Sequence, residues 1–440
     1  MRNNIAPDPR KPGKPVRRPR IWFAVGIVLL TSVALSILSP GAWAKSKEKV
    51  IHSFQGGSDG TLPLSSLIFD KVGNLYGVTE QGGASNDGTV FELTPGSNHR
   101  WTESVLYSFR GGSDGAYPQT GLIFDQAGNL YGTTDSGGGN GCSFGCGTVF
   151  ELTPGNNGQW TETMLYAFTG GVDGGLPKAG LAFDSAGNLF GTTSAGGNAP
   201  CNGSSCGVVF ELSPSNGQWT ETVLYSFTGG NDGASPFAGV IFDKSGNLYG
   251  TASLAGKYGG GTVFELSPAQ GGQWTETVLH TFKGGRDGYF PVAGLVVHKA
   301  HHLYGTTYAG GTSVDCESPG CGTVFQLALA ANGKWKETVL HRFHIRDGRE
   351  SFATPVFDKA GNLFATAFEG GRDGNCGTAF ELTPSENGEW KDTVLHEFCA
   401  RTSDGATPEG SLIHDKAGHL YGVTGEGGSA NAGTVYEITP

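Results

Sequence analysis

One unit of about 57 residues recurs seven times along this 440-residue chain, and no other feature narrows the possible folds as much. An Asp-Gly pair marks each copy, its aspartate falling at Asp59, Asp114, Asp173, Asp232, Asp287, Asp347 and Asp404. Successive spacings are 55, 59, 59, 55, 60 and 57 residues. A second marker, GTVFEL at 88–93, returns with small changes at 147, 207, 261, 322, 377 and 433. The copies fill the chain from about residue 45 onward and leave no second domain or linker.

Each copy contains four short apolar stretches separated by turn chemistry. In the second they are GLIFD (121–125), NLYGTT (129–134), GTVFEL (147–152) and WTETMLYAF (160–168). Stretches this short, rich in β-branched and aromatic side chains, favour strands. Between the first two, Asp125 to Asn129 spells D-x-x-G-N, a hairpin turn in which aspartate accepts turn amides and glycine takes positive φ. Glycine accounts for 75 residues without a collagen-like triplet, as a fold with many tight turns requires. Four antiparallel strands repeated seven times predict an all-β chain forming a single seven-bladed β-propeller. A parallel β-helix would need a far shorter period.

The phase of the repeat sharpens this expectation. If the strand before D-x-x-G-N is innermost, the W-T-E-T-V-L-Y strand is outermost. The chain then opens on an orphan outer strand, Val50–Phe54, and ends on a third strand, Gly433–Ile438. The N-terminal strand is therefore expected to complete the seventh blade and remove the unpaired edges.

Residues 1–44 are a separate object. Seven basic side chains lie in the first twenty positions against one acid, Asp8, and an apolar run follows from Ile21 to Leu38. Ala42-Trp43-Ala44 supplies a small-x-small end, so the segment reads as a signal peptide cut after Ala44. An uncleaved N-terminal anchor is the alternative, and Arg17-Arg18 resembles a twin-arginine pair. The net charge is −11, and losing the basic leader makes the remainder more acidic still. Such a surface repels phosphate backbones and anionic headgroups, which excludes nucleic acid and leaves the leader as the one membrane contact.

The run G-L-I-F-D-x-x-G-N-L-Y-G-T-T, then G-T-V-F-E-L, then V-L-Y-S-F-x-G-G-x-D-G-x-x-P closely resembles the GloVer tandem repeat of the Gloeobacter/Verrucomicrobium family. The likeness covers residues 49–440. It implies an exported bacterial protein that is secreted, periplasmic or held at the cell surface, and it implies no particular activity. The sequence closes at Pro440 without an apolar tail or sorting motif, so any anchor is expected at the N-terminus.

The eight cysteines fit that setting. Cys142/Cys146, Cys201/Cys206 and Cys316/Cys321 are local pairs in the loop between second and third strands. Cys376 precedes a third strand and Cys399 follows the outer strand expected to pair with it. Four disulfides are the expectation. Zinc is disfavoured because C-x3-C and C-x4-C occur singly, without companion histidines. In an up-and-down blade these loops and the GGSDG-type connectors emerge on one face. Sequence varies most there, as at 80–87, 135–146 and 308–321.

Several signals admit a plain and a functional reading. Gly56–Gly60 matches G-x-S-x-G but lies between strands, and its serine becomes Val172, Asn231 or Arg286 elsewhere, so it is a turn. The seven Asp-Gly aspartates read as structural turn caps rather than a cation ring. Six tryptophans (Trp101, Trp160, Trp219, Trp274, Trp335, Trp390) either pack between blades or form an exposed sugar-stacking belt. His298, His301 and His302 replace one turn; a drifted turn is weighed there against a metal or base site. The sixth copy diverges most. Arg346, Asp347, Arg349 and Glu350 crowd its connector, and Glu369, Arg372 and Asp373 its next loop. These seven residues are the candidate ligand pocket, with a solvated charge cluster as the alternative.

No cofactor motif or catalytic constellation is legible, and a monomer is expected. The preferred expectation is a non-catalytic module that binds a glycan, peptide or cell-surface partner through the Cys-bearing loops. The alternatives are a propeller hydrolase or lyase with an axial site on that face, and a purely structural envelope protein.

Overall fold

The computed structural model of the protein describes residues 46–97, 100–139, 141–198, 200–201, 204–299, 301–312, 315–372, 375–399 and 403–440. The leader, its expected cleavage point and Asp373 lie outside the described residues. Seven four-stranded antiparallel sheets are present, with no α-helix among the described residues. In the first blade the order from the axis outward is Ile68–Phe69, Leu75–Thr79, Thr89–Pro95 and Trp101–Ser108. The seventh is Ile413–His414, Leu420–Thr424, Thr434–Thr439 and, from the opposite end of the chain, Lys47–Ser53. Lys47 pairs with Thr439 and Ser53 with Thr434, so the expected closure is present.

The hairpin aspartates act as expected. Asp70 Oδ1 accepts the amides of Val72, Gly73 and Asn74 at 2.9, 2.7 and 2.9 Å, and Gly73 sits at φ 100°. The fifth blade lacks this carboxylate. Its turn is made with Lys299 and His301 at positive φ, and His298 stacks on Phe357 with ring centroids 4.0 Å apart. This is the drifted-turn reading.

The core is divided among the seven seams between blades. At the first seam Phe109, fully buried at the end of one outer strand, meets Phe150 of the next blade edge-on at 5.1 Å. Val90, Leu122, Leu130 and Leu152 complete that cluster. Burying each such phenylalanine is worth roughly 1.5–3 kcal/mol. The second strand makes room with a glycine: a Cβ on Gly132 would lie 2.6 Å from the Phe150 ring. The ring pair recurs at every seam, closing with Phe398 on Tyr436 and Phe54 on Phe91, and the glycine recurs in every blade but the sixth, which has Ala365.

A β-bulge in each outer strand decides what it offers to each side. Phe91 pairs with Val105 and Val90 with Tyr107, which leaves Leu106 as an extra residue. Equivalent shifts occur in the other six blades. Before the bulge, Trp101 and Glu103 share the face of Phe91 and Leu93 toward the preceding blade; after it, Tyr107 joins Val90 toward the following one. The half-buried tryptophans accordingly reach back across a seam. Trp160 packs on Tyr76 at 6.5 Å and Trp219 on Tyr131 at 6.4 Å, the pattern of a packing role.

Candidate functional site

Connectors and second-to-third-strand loops do share one face. Thr61 bridges to Gln81, Ala116 to Ser136, Arg349 to Glu369, and Gly405 pairs with Gly427. All four expected disulfides form there, Cys142–Cys146, Cys201–Cys206, Cys316–Cys321 and Cys376–Cys399, and no cysteine is free. Cys146, Cys206 and Cys321 are buried, so all three local pairs anchor their loops into a seam.

After each connector the chain enters the axis in an extended segment whose side chains alternate. In the third blade Pro177 and Ala179 are buried, whereas Lys178 and Gly180 face a central cavity of about 650 Å3. The first outward position of each segment forms a ring around that cavity. Four members are apolar, Leu64, Phe237, Val292 and Phe352, and three are polar, Gln119, Lys178 and Glu409. The second outward position is Gly, Ser or Thr in every blade, Ser66 and Gly239 among them. At Gly239 the smallness is structural, because a Cβ there would fall 2.4 Å from the carbonyl of Gly180 in the preceding blade. The cavity is thus a cup with a constant small floor and a rim that differs in character from blade to blade.

The polar rim is organised. Gln119 donates to Glu80 at 2.9 Å. Lys178 Nζ lies 3.7 Å from Asp135 and 5.8 Å from the centre of the Phe237 ring. Burial, with Glu80 and Glu426 nearby, pushes the Glu409 carboxyl up to about 7. Burial also raises Asp135, against the pull of Lys178. On the other side Tyr308 donates to Glu350 at 2.8 Å and packs edge-on against Phe352.

The charged residues of the sixth copy are distributed rather than gathered. Arg349 pairs with Glu369 and lies 3.8 Å from Glu350, and this trio adjoins the cup through Tyr308. Arg346 is exposed, and Arg372 reaches Glu397 at 3.5 Å. Asp347 turns outward into a seam, 3.3 Å from His341.

That contact belongs to a second repeated constellation, which sequence reasoning missed. At each seam a tyrosine or histidine from beyond the bulge meets the Asp-Gly aspartate of its connector and an acid from the next outer strand. Tyr107 donates to Asp114 at 2.8 Å, and Glu162 faces that aspartate. Tyr166, Asp173 and Glu221 repeat the arrangement, as do Tyr225, Asp232 and Glu276. One carboxyl oxygen of each of these glutamates is buried without a hydrogen-bond partner, and burial and the facing aspartate raise each carboxyl to about 7. The aspartates are also caps as expected: Asp173 accepts the Thr169 amide at 2.8 Å and Asp232 the Thr228 amide at 2.7 Å. The available signal was the spacing of seven residues from Tyr107 to Asp114, Tyr166 to Asp173 and Tyr225 to Asp232.

Three solved structures overlap the chain loosely. The "Calcium structure of Trichoderma reesei Carbohydrate-Active Enzymes Family AA12" is 13% identical with a TM-score of 0.43, over 90% of this chain and 95% of that one. A putative oxidoreductase (glucose dehydrogenase) from Thermus thermophilus is 13% identical with a TM-score of 0.38, over 90% and 100%. A Dyadobacter fermentans protein of unknown function is 12% identical with a TM-score of 0.41, over 79% and 97%. Overlap at this level carries no argument about activity. No curated protein matches the sequence. The Gloeobacter/Verrucomicrobia repeat matches twice, over residues 42–236 and 202–436, and the chain is a member of that repeat family.

Proposed function

We propose that this protein is an exported, non-catalytic binding module that takes a short oligosaccharide or peptide into the axial cup. Residues 1–44 serve as its signal peptide, and the four disulfides suit the oxidising compartment beyond the membrane. The observation that carries this reading is the rim: seven equivalent positions, built on one scaffold, hold six different side-chain types around a cavity. Phe237 and Phe352 offer apolar faces on which a sugar or side chain stacks, while Gln119, Lys178 and Glu409 offer polar groups that fix its orientation. Arg349, Glu350 and Glu369 extend the wall beside Tyr308. Screening the folded protein on glycan and peptide arrays, then repeating with Phe237→Ala and Lys178→Ala, tests the proposal. Each substitution should cost the captured ligand at least about tenfold in affinity; a ligand held equally well by both variants would place binding elsewhere.

Glu409 favours a second reading. A carboxyl held near 7 has the proton affinity that general acid–base chemistry uses. Turnover of a bound glycan that falls with Glu409→Gln would make the cup a hydrolase or lyase site.

A further inference from the structure

One position of this constellation alternates between two chemistries. Three carry tyrosine beyond the bulge, and four carry histidine: His52, His280, His341 and His396. The difference changes what the seam can hold. A phenol keeps its proton at neutral pH and donates a hydrogen bond to the aspartate, as Tyr107 does to Asp114. A neutral imidazole presents a lone pair, and with two carboxylates it makes a donor set for a metal.

We propose that the two seams flanking the sixth blade bind a divalent cation of the Zn2+ class. One site is His341, Asp347 and Asp392; the other is His396, Asp404 and Glu48. In each set one donor atom from every residue lies within 4.8 Å of the others. His341 Nε2 stands 3.3 Å from Asp347 Oδ2, and His396 Nε2 stands 3.1 Å from Asp404 Oδ2. Donors sharing a zinc at about 2.1 Å lie about 3.4 Å apart, so these pairs already stand at ligand spacing. The sites are sheltered: the His341 and Asp347 side chains are 14% and 18% exposed, and that of Asp404 only 1%. Asp392 Oδ1 is buried without a hydrogen-bond partner. Asp347 Oδ1 is committed to the His344 amide at 2.7 Å, which turns Oδ2 toward the imidazole.

The donor set selects the ion. Calcium takes six to eight oxygens, more than these residues supply. One nitrogen and two carboxylates suit zinc or manganese, and the two negative charges match a dication. His52 and His280 hold the same position at other seams, yet among the described residues only the two sets around the sixth blade draw three donors together. The chain also approaches the sixth blade from both ends of the sequence, since Glu48 lies on the closing strand. A metal there would tie the closing strand to the sixth blade.

The test uses the full protein, stripped with EDTA, dialysed, and titrated with ZnCl2 by calorimetry and elemental analysis. Its control is the residue that sibling seams already use, in His341→Tyr, His396→Tyr and the double variant. We expect two zinc equivalents in the wild type, one in each single variant and none in the double, with circular dichroism unchanged. Chelator should lower the melting midpoint of the wild type and leave the double variant where it was. Wild type that takes up no zinc overturns the proposal. So does a double variant that retains it, which would move the metal to the His298–His302 turn, and so does uptake of CaCl2 in preference to ZnCl2. Should His341→Tyr fail to fold, Asp392→Asn removes a ligand with little change of shape and must itself reduce uptake by one equivalent.

Discussion

The axis and the seams are made from the same seven copies and yet obey opposite rules. At the seams nearly every copy repeats the same phenylalanine pair, the same bulge and the same acid-paired ring. At the rim of the cup the equivalent position is leucine, glutamine, lysine, phenylalanine, valine, phenylalanine and glutamate in turn. Repetition is what a closed ring requires of its joints, because each blade must fit its successor. Variation is tolerated where a side chain faces empty space, and it becomes useful where that space holds something else.

Perturbations of the two regions should therefore separate. The largest effect is expected from deleting residues 46–54, which removes the closing strand and the fully buried Phe54. The ring should lose its cooperative melt altogether; a truncated protein that still melts in one sharp transition would contradict the closure. Phe109→Ala should destabilise by about 3–5 kcal/mol in a denaturant titration, through a cavity at one seam. Next comes pH. Glu162, Glu221 and Glu276, raised from an ordinary 4.5 to about 7, bind more protons in the folded ring than in the unfolded chain. Their stabilisation is complete below 4.5 and lost as pH rises through about 7. Each is partly screened by solvent, so the loss should be about 1 kcal/mol apiece. Replacing all three with glutamine should flatten the fall in melting midpoint between about pH 5 and pH 8. Replacing Cys142 and Cys146 with serine opens a small loop and should cost about 2 kcal/mol. At the cup, Lys178→Ala should move stability by less than about 0.5 kcal/mol, whatever it does to a ligand.

Much of the ring could be read from the sequence, because its signals are local. D-x-x-G-N names its own turn, and Cys376 and Cys399 could be paired once the strands on either side were taken as neighbours. The seams were less legible. Trp101 to Tyr107 reads as a plain alternating strand, and nothing in it announces that Leu106 is extra. Without the bulge Tyr107 would face the same blade as Glu103, and the meeting of Tyr107, Asp114 and Glu162 across two copies would not occur. The cup was hidden for another reason. Its rim residues follow the connector singly, one to a copy, and only the packing of neighbouring blades sets Lys178 beside Phe237. Attention to the dense charges of the sixth copy pointed toward a local pocket, whereas the structure divides those charges between cup, seam and solvent.

The bulge has a consequence for how such chains change length. It gives every blade a leading edge and a trailing edge, so that any blade is a correct neighbour for any other. Excising or duplicating one whole copy between matching points would leave each joint chemically whole. What a change of number would alter is the hub, where the entering segments of seven blades together line one cavity. A ring with one blade fewer or more would keep its joints and lose the shape of its cup.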